Sequence, residues 1–171
     1  MNNIKKTALA SALLMGMVLS AGANAASNAT VVWTGTVPVT NASDEIVITG
    51  LAGDLTALNG TITASTDGIF ESDSIVLESH VNDSGDAAAP TIGALVAANW
   101  TLVDATVTFD GVANPAQTVE VDINGAAIVV GDVVPSVETI ATKVSQTATL
   151  PEAEVGGSTV QASVTVMADV A

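Results

Sequence analysis

The chain has 171 residues, is 49% apolar, contains no cysteine, and sets three Lys or Arg against 18 Asp or Glu for a net charge of −15. That balance excludes nucleic acid as a partner, because such binding rests on cations meeting phosphates; it disfavours anionic lipid, favours solubility and permits cation binding. Without cysteine the fold is held by packing alone or by something another chain supplies, although exported domains of this size often use disulfides.

Residues 1–25 read as a secretory signal peptide. Lys5 and Lys6 precede an apolar run over 8–21, and Ala23-Asn24-Ala25 forms a small-x-small cleavage site. The run is too short for a membrane span, and no other stretch approaches the ~20 residues that a span needs. The expected mature chain is therefore 26–171, one domain released across a membrane. Lys5 and Lys6 leave with the signal, so Lys143 alone stands against the 18 carboxylates, a mature net charge of −17.

The mature part carries 24 Val and 20 Thr but only Trp33, Phe70, Trp100 and Phe109 as aromatics. Val and Thr are β-branched and stiff at χ1, which favours a pleated surface, so the chain is expected to be all-β. Val31, Trp33, Gly35, Val37 and Val39 alternate with Thr34, Thr36 and Pro38, a run broken only by Val32, and form the first strand pattern. Strands are then expected over 45–49, 61–64, 74–79 and 101–109, the last closed by Asp110-Gly111. Residues 118–123, Asn124-Gly125 and 126–130 read as a hairpin, because a type I′ turn needs positive φ at both central residues. A further strand is expected over 143–150. Helix signals are weak: 87–98 is Ala-rich but broken by Pro90 and Gly93, and 136–144 has room for one turn. The closing stretch has the cleanest pattern. Val160, Ala162, Val164, Val166, Ala168 and Val170 fall on one face, with Gln161, Ser163, Thr165, Met167 and Asp169 on the other, as in a half-buried antiparallel strand. Seven to nine short strands separated by turns imply a β-sandwich.

Catalytic chemistry has little to draw on. Cys, Arg and Tyr are absent, and the single His80 is expected to be a solvated residue at a strand end. No Ser stands in a G-x-S-x-G elbow. The pairs Glu71/Asp73, Glu120/Asp122 and Glu152/Glu154 lack the aromatic platforms of a glycosidase cleft. Glu120 and Asp122 are expected on the solvent face of a strand whose other face is Val119, Val121 and Ile123. No enzymatic activity and no cofactor are expected. The one metal candidate is a calcium loop at Asn82, Asp83 and Asp86, where short oxygen ligands cluster around Gly85; its plain alternative is a polar turn.

The two terminal strands carry the functional reading. Residues 30–39 extend over about 33 Å, long enough to complete a sandwich either in their own domain or in the next subunit's. In the second case an open sheet edge is finished by a strand from another chain. The run Asn28-Ala-Thr-Val-Val-Trp-Thr-Gly-Thr-Val-Pro-Val39 resembles the N-terminal extension of cysteine-free chaperone–usher pilins, the major subunits of enteric colonisation-factor fimbriae. Gly35 matches that extension's small mid-strand residue and Pro38 its late proline. Residues 119–131, 137–148 and 157–167 resemble the C-terminal third of such pilins, while 50–104 carry no part of the resemblance. The resemblance implies an immunoglobulin-like sandwich over 40–171 that lacks its last strand, with 26–39 as a donor strand. Val31, Trp33, Gly35, Val37 and Val39 would then be donor residues, and Val160, Ala162, Val164, Val166 and Ala168 would line the acceptor edge. The implied partners are further copies of the chain, a periplasmic chaperone and an outer-membrane usher, together with a tip adhesin and a host receptor, at the cell surface. The alternative left open is a secreted acidic β-sandwich that binds glycan or matrix with the help of Ca²⁺.

Overall fold

The computed structural model describes residues 43–54 and 58–171, and the backbone alone of 30–32. The described residues form twelve strands with one short helix and one 3-10 turn. In chain order the strands are β1 (Thr30–Val32), β2 (Ile46–Gly50), β3 (Thr61–Thr63), β4 (Phe70–Glu71), β5 (Ile75–Asn82), β6 (Ile92–Leu95), β7 (Ala98–Phe109), β8 (Val119–Ile123), β9 (Ala126–Ile128), β10 (Val133–Val137), β11 (Thr139–Gln146) and β12 (Val160–Val170). The turn Leu51–Gly53 follows β2, and α1 (Glu152–Val155) precedes β12.

All pairings are antiparallel. The larger sheet runs β2-β5-β11-β8-β9, with β4 beside β11 and β6 beside β5; the smaller sheet runs β10-β7-β12; β1 and β3 form a separate pair. Both sheets feed one buried cluster. Ile46, Leu77, Val121, Ile123, Ile140 and Val144 come from the larger sheet, and Ala98, Trp100, Leu102, Val107, Phe109, Val160 and Ala162 from the smaller. Fully burying one such side chain stabilises the fold by roughly 1.5–3 kcal/mol, so apolar burial carries a chain that has no disulfide. At the centre Trp100 is wholly buried and its Nε1 donates to the Val137 carbonyl at 3.0 Å, which ties β7 to β10 beyond their ladder.

The expected hairpin is present: Ile123 faces Ala126 across a two-residue turn in which Asn124 (φ 56°) and Gly125 (φ 82°) both take left-handed backbone. Its return strand ends at Ile128 rather than at 130. Asp110 and Gly111 also turn through positive φ, as expected after β7. The alternation over 160–170 forms β12, with the expected face turned inward.

Three expectations shift. The turn of helix over 136–144 is instead the end of β10 and most of β11, parted by the bend at Glu138, with Ser136 at φ 52° inside β10. The strand placed at 143–150 is β11, which starts earlier and stops at Gln146; that side chain accepts from the Ala148 amide and donates to the Ala148 carbonyl, both at 2.7 Å, and so turns the chain. The Ala-rich stretch 87–98 holds β6 and the first residue of β7, not helix.

Candidate strand-docking edge

β12 lies at the margin of the smaller sheet. One edge pairs with β7 along its whole length, from Val160 opposite Phe109 to Val170 opposite Ala98. Among the described residues no strand pairs with its other edge. Such an edge presents a row of unpaired amides and carbonyls and is a ready template for another strand.

Cover over the inward face of β12 falls away along the strand. Val160 is 2% exposed and Ala162 6%; Val164, Val166 and Ala168 are half-buried; Val170 is 47% exposed. The core therefore closes over the start of β12 and leaves its second half partly bare. The opposite face carries Gln161, Ser163, Thr165, Met167 and Asp169, all solvent-exposed or nearly so. β2, the margin of the larger sheet, and β1 both come within 8 Å of β12 between Cα atoms. Beside Val160 lies a concavity of about 340 Å³ whose lining includes Gly68, Phe109, Glu152, Val155 and Val160.

Of the five predicted donor residues, Val31 lies in β1, whose backbone pairs with β3 of the same chain, Val31 opposite Ile62. Trp33, Gly35, Val37 and Val39 lie outside the described residues. The five predicted acceptor residues, Val160, Ala162, Val164, Val166 and Ala168, stand together on the inward face of β12.

The other candidates resolve differently. Asn82 is buried, and its Oδ1 accepts from the Ser84 hydroxyl at 2.7 Å, the Thr91 amide at 3.1 Å and the Ser84 amide at 3.3 Å. Asp86 accepts from the Ala88 amide at 2.8 Å. These oxygens shape a polar turn, and among the described residues no group of three or more acidic or histidine side chains is placed to hold a metal. Glu120 and Asp122 flank the buried Val121 and face outward, as expected. Lys143 Nζ donates to Glu71 at 2.9 Å on the surface; that bond and the charge behind it push the lysine up.

His80 corrects the expectation of a solvated residue. It is 8% exposed, and its Nδ1 donates to the Gly93 carbonyl at 3.0 Å while Nε2 lies 3.3 Å from Glu78 Oε2. Glu78, two residues earlier on the same face of β5, also accepts from the Gly53 amide at 3.2 Å. Burial pushes its carboxyl up, but the Ala52 and Gly53 amides and the His80 ring together hold it below the usual range. Glu78 and His80 thus pin the 51–53 turn and β6 onto β5. No local signal marked this pair: polar residues at i and i+2 equally form the outer face of β8, and the cover over Glu78 and His80 comes from Gly53 and Gly93, distant in sequence.

Compared with known protein families, with curated proteins and with solved structures, the chain matches none.

Proposed function

We propose that this chain is the structural subunit of a bacterial surface fibre, with no catalytic role, and that it polymerises by strand exchange. In this reading the two sheets form an immunoglobulin-like sandwich short of one strand, and residues 26–39 of one copy supply that strand to the next. The observation that carries it is β12: an eleven-residue alternating strand with one edge unpaired among the described residues and an inward face that loses cover toward its end. An added strand would close the ladder, at about 0.5–1.5 kcal/mol net for each backbone hydrogen bond. It would also finish burying Val164, Val166 and Ala168, at about 25 cal/mol per Å² of apolar surface covered. Main-chain bonds provide affinity in such an addition, and the alternating side chains set its register.

In the single chain the segment 30–32 pairs with β3. Among the described residues that ladder spans three residues, against eleven on β12. Exchange would trade the short pairing for the long one, at the cost of joining two copies. The high negative charge opposes that union and keeps free subunits soluble, consistent with a need for a chaperone until assembly.

The test compares the mature chain with and without 26–39 by electron microscopy and by denaturing gel without boiling. The expected result is fibres and heat-resistant ladders that vanish on truncation, with an oligomer restored by adding the 26–39 peptide. A folded monomer that merely loses stability on truncation would place the strand in its own domain and overturn the proposal.

A further inference from the structure

The tip of the β8–β9 hairpin is an Asn-Gly pair, Asn124-Gly125, and both residues are exposed. Asn-Gly is the most labile peptide link toward deamidation, because glycine has no Cβ to shield its amide nitrogen. In that reaction solvent hydroxide takes the Gly125 amide proton. The nitrogen attacks Cγ of Asn124, a C–N bond forms, and ammonia leaves with a proton from water. Water then opens the cyclic imide at either carbonyl, giving Asp or isoaspartate. The net change is loss of ammonia for water, with no oxidation and one added negative charge. The isoaspartate product also inserts a methylene into the main chain at the end of a ladder.

The structure holds the Gly125 amide and the Asn124 carboxamide in contacts that oppose the reaction. The Gly125 N–H donates to Asp122 Oδ1 at 2.7 Å. A carboxylate there occupies the proton that must leave and opposes the amide anion that must form. The Asn124 Oδ1 accepts from the Ala141 amide at 2.8 Å, drawing the carboxamide onto β11. The Asn124 backbone N–H donates to the Ala141 carbonyl at 2.9 Å, fixing the residue from its other side. Ile123 and Ala126 are paired and both turn residues have positive φ, so the two-residue turn is locked. Closing the imide requires the Asn124 backbone to leave that turn conformation and its carboxamide to leave Ala141.

We propose that Asn124-Gly125 is a deamidation site that the fold holds shut, with Asp122 and the Ala141 backbone as the positioning groups. The inference is independent of the fibre reading. It gives Asp122 a role beyond a solvent-facing strand residue, and it says that integrity of the hairpin sets the chemical lifetime of the chain.

The experiment incubates the full mature chain at neutral pH and body temperature. Peptide mass spectrometry follows the one-dalton gain at Asn124, separately from the second Asn-Gly pair at Asn59-Gly60, and enzymatic methylation counts isoaspartate. Four samples are compared: folded wild type, wild type unfolded in urea, Asp122→Ala, and Asp122→Asn, whose side-chain oxygen can still accept from Gly125. Loss of a hydrogen bond to a charged group corresponds to about a ten- to hundredfold change in rate. The folded wild type is expected to be slower than the urea-unfolded chain by at least that factor, Asp122→Ala to recover much of the difference while keeping its β circular dichroism, and Asp122→Asn, which keeps an acceptor but loses the charge, to fall between wild type and Asp122→Ala. Equal rates in folded and unfolded wild type would overturn the proposal. So would a folded Asp122→Ala chain that deamidates no faster than wild type. Should Asp122→Ala fail to fold, the Asp122→Asn rate and the comparison of folded with unfolded wild type decide.

Discussion

Replacing Glu78 by Gln tests how the buried polar pair on β5 holds its surroundings. The carboxylate accepts from the Gly53 and Ala52 amides and faces His80 Nε2 at 3.3 Å, with a side chain only 10% exposed. Gln keeps the shape and one neutral acceptor but loses the charge. Charge-assisted hydrogen bonds are roughly twice as strong as neutral ones, so the change should cost about 1–2 kcal/mol at neutral pH. For a domain of this size that is a fall in Tm of about 2–8 °C. The sign with pH follows from the depressed folded-state value. Stability from ionised Glu78 is fully present above its unfolded value of about 4.3, and it is lost as pH falls through the lower folded value. Acid also relieves the repulsion among the other carboxylates, so the quantity to read is the Tm difference between the two proteins at each pH. Melting followed by circular dichroism should show the wild type ahead at about pH 7 and the gap narrowing as acid takes the pH down through the lowered folded value. A deficit of equal size at both ends of the range, or none at neutral pH, would refute the reasoning.

Two further substitutions probe the inward face of β11. Thr142 is 7% exposed between Ile140 and Val144, and its hydroxyl has no hydrogen-bond partner; Thr142→Val should raise stability by about 1 kcal/mol, because a buried unpaired hydroxyl is penalised, and urea titration should show a higher midpoint at unchanged slope. Gln146 is wholly buried and bonds the Gly68 and Ala148 carbonyls and the Ala148 and Thr118 amides; Gln146→Leu leaves these groups unpaired and should cost about 2–4 kcal/mol, with hydrogen exchange rising first at the Ala148 and Thr118 amides.

The fold class was legible because the β-branched content and the period-2 patterns agree with what forms. β12 is the clearest case: the alternation written over 160–170 is the alternation of its burial. β7 was harder, for a reason its register shows. Thr165 faces Asp104 and Val166 faces Leu102, so Val103 is an extra residue. Before it the even positions Ala98, Trp100 and Leu102 are buried, and after it the odd positions Val107 and Phe109. A bulge switches the parity that a pattern search relies on, which is why only 101–109 stood out. β4 and β6, of two and four residues, are too short to carry a pattern. His80 was misjudged because its cover comes from segments distant in sequence, the 51–53 turn and the carbonyl of Gly93. The inward face of β12 was readable residue by residue; that its edge stands unpaired among the described residues depends on pairing partners, which no single strand's sequence specifies.

The most direct test of strand exchange maps the partner of the β12 edge that stands unpaired among the described residues. The chain has no cysteine, so Thr34→Cys in one tagged copy and Thr165→Cys in a second, Thr165 being exposed on β12 and Thr34 alternating in sequence with Trp33 and Gly35, can be joined by a short bismaleimide. The strand-exchange account expects a product between the two differently tagged copies, and a ladder of covalent multimers when both substitutions share one chain. A doubly substituted chain that closes only on itself, with no product between copies, would contradict it and assign the N-terminal strand to its own domain.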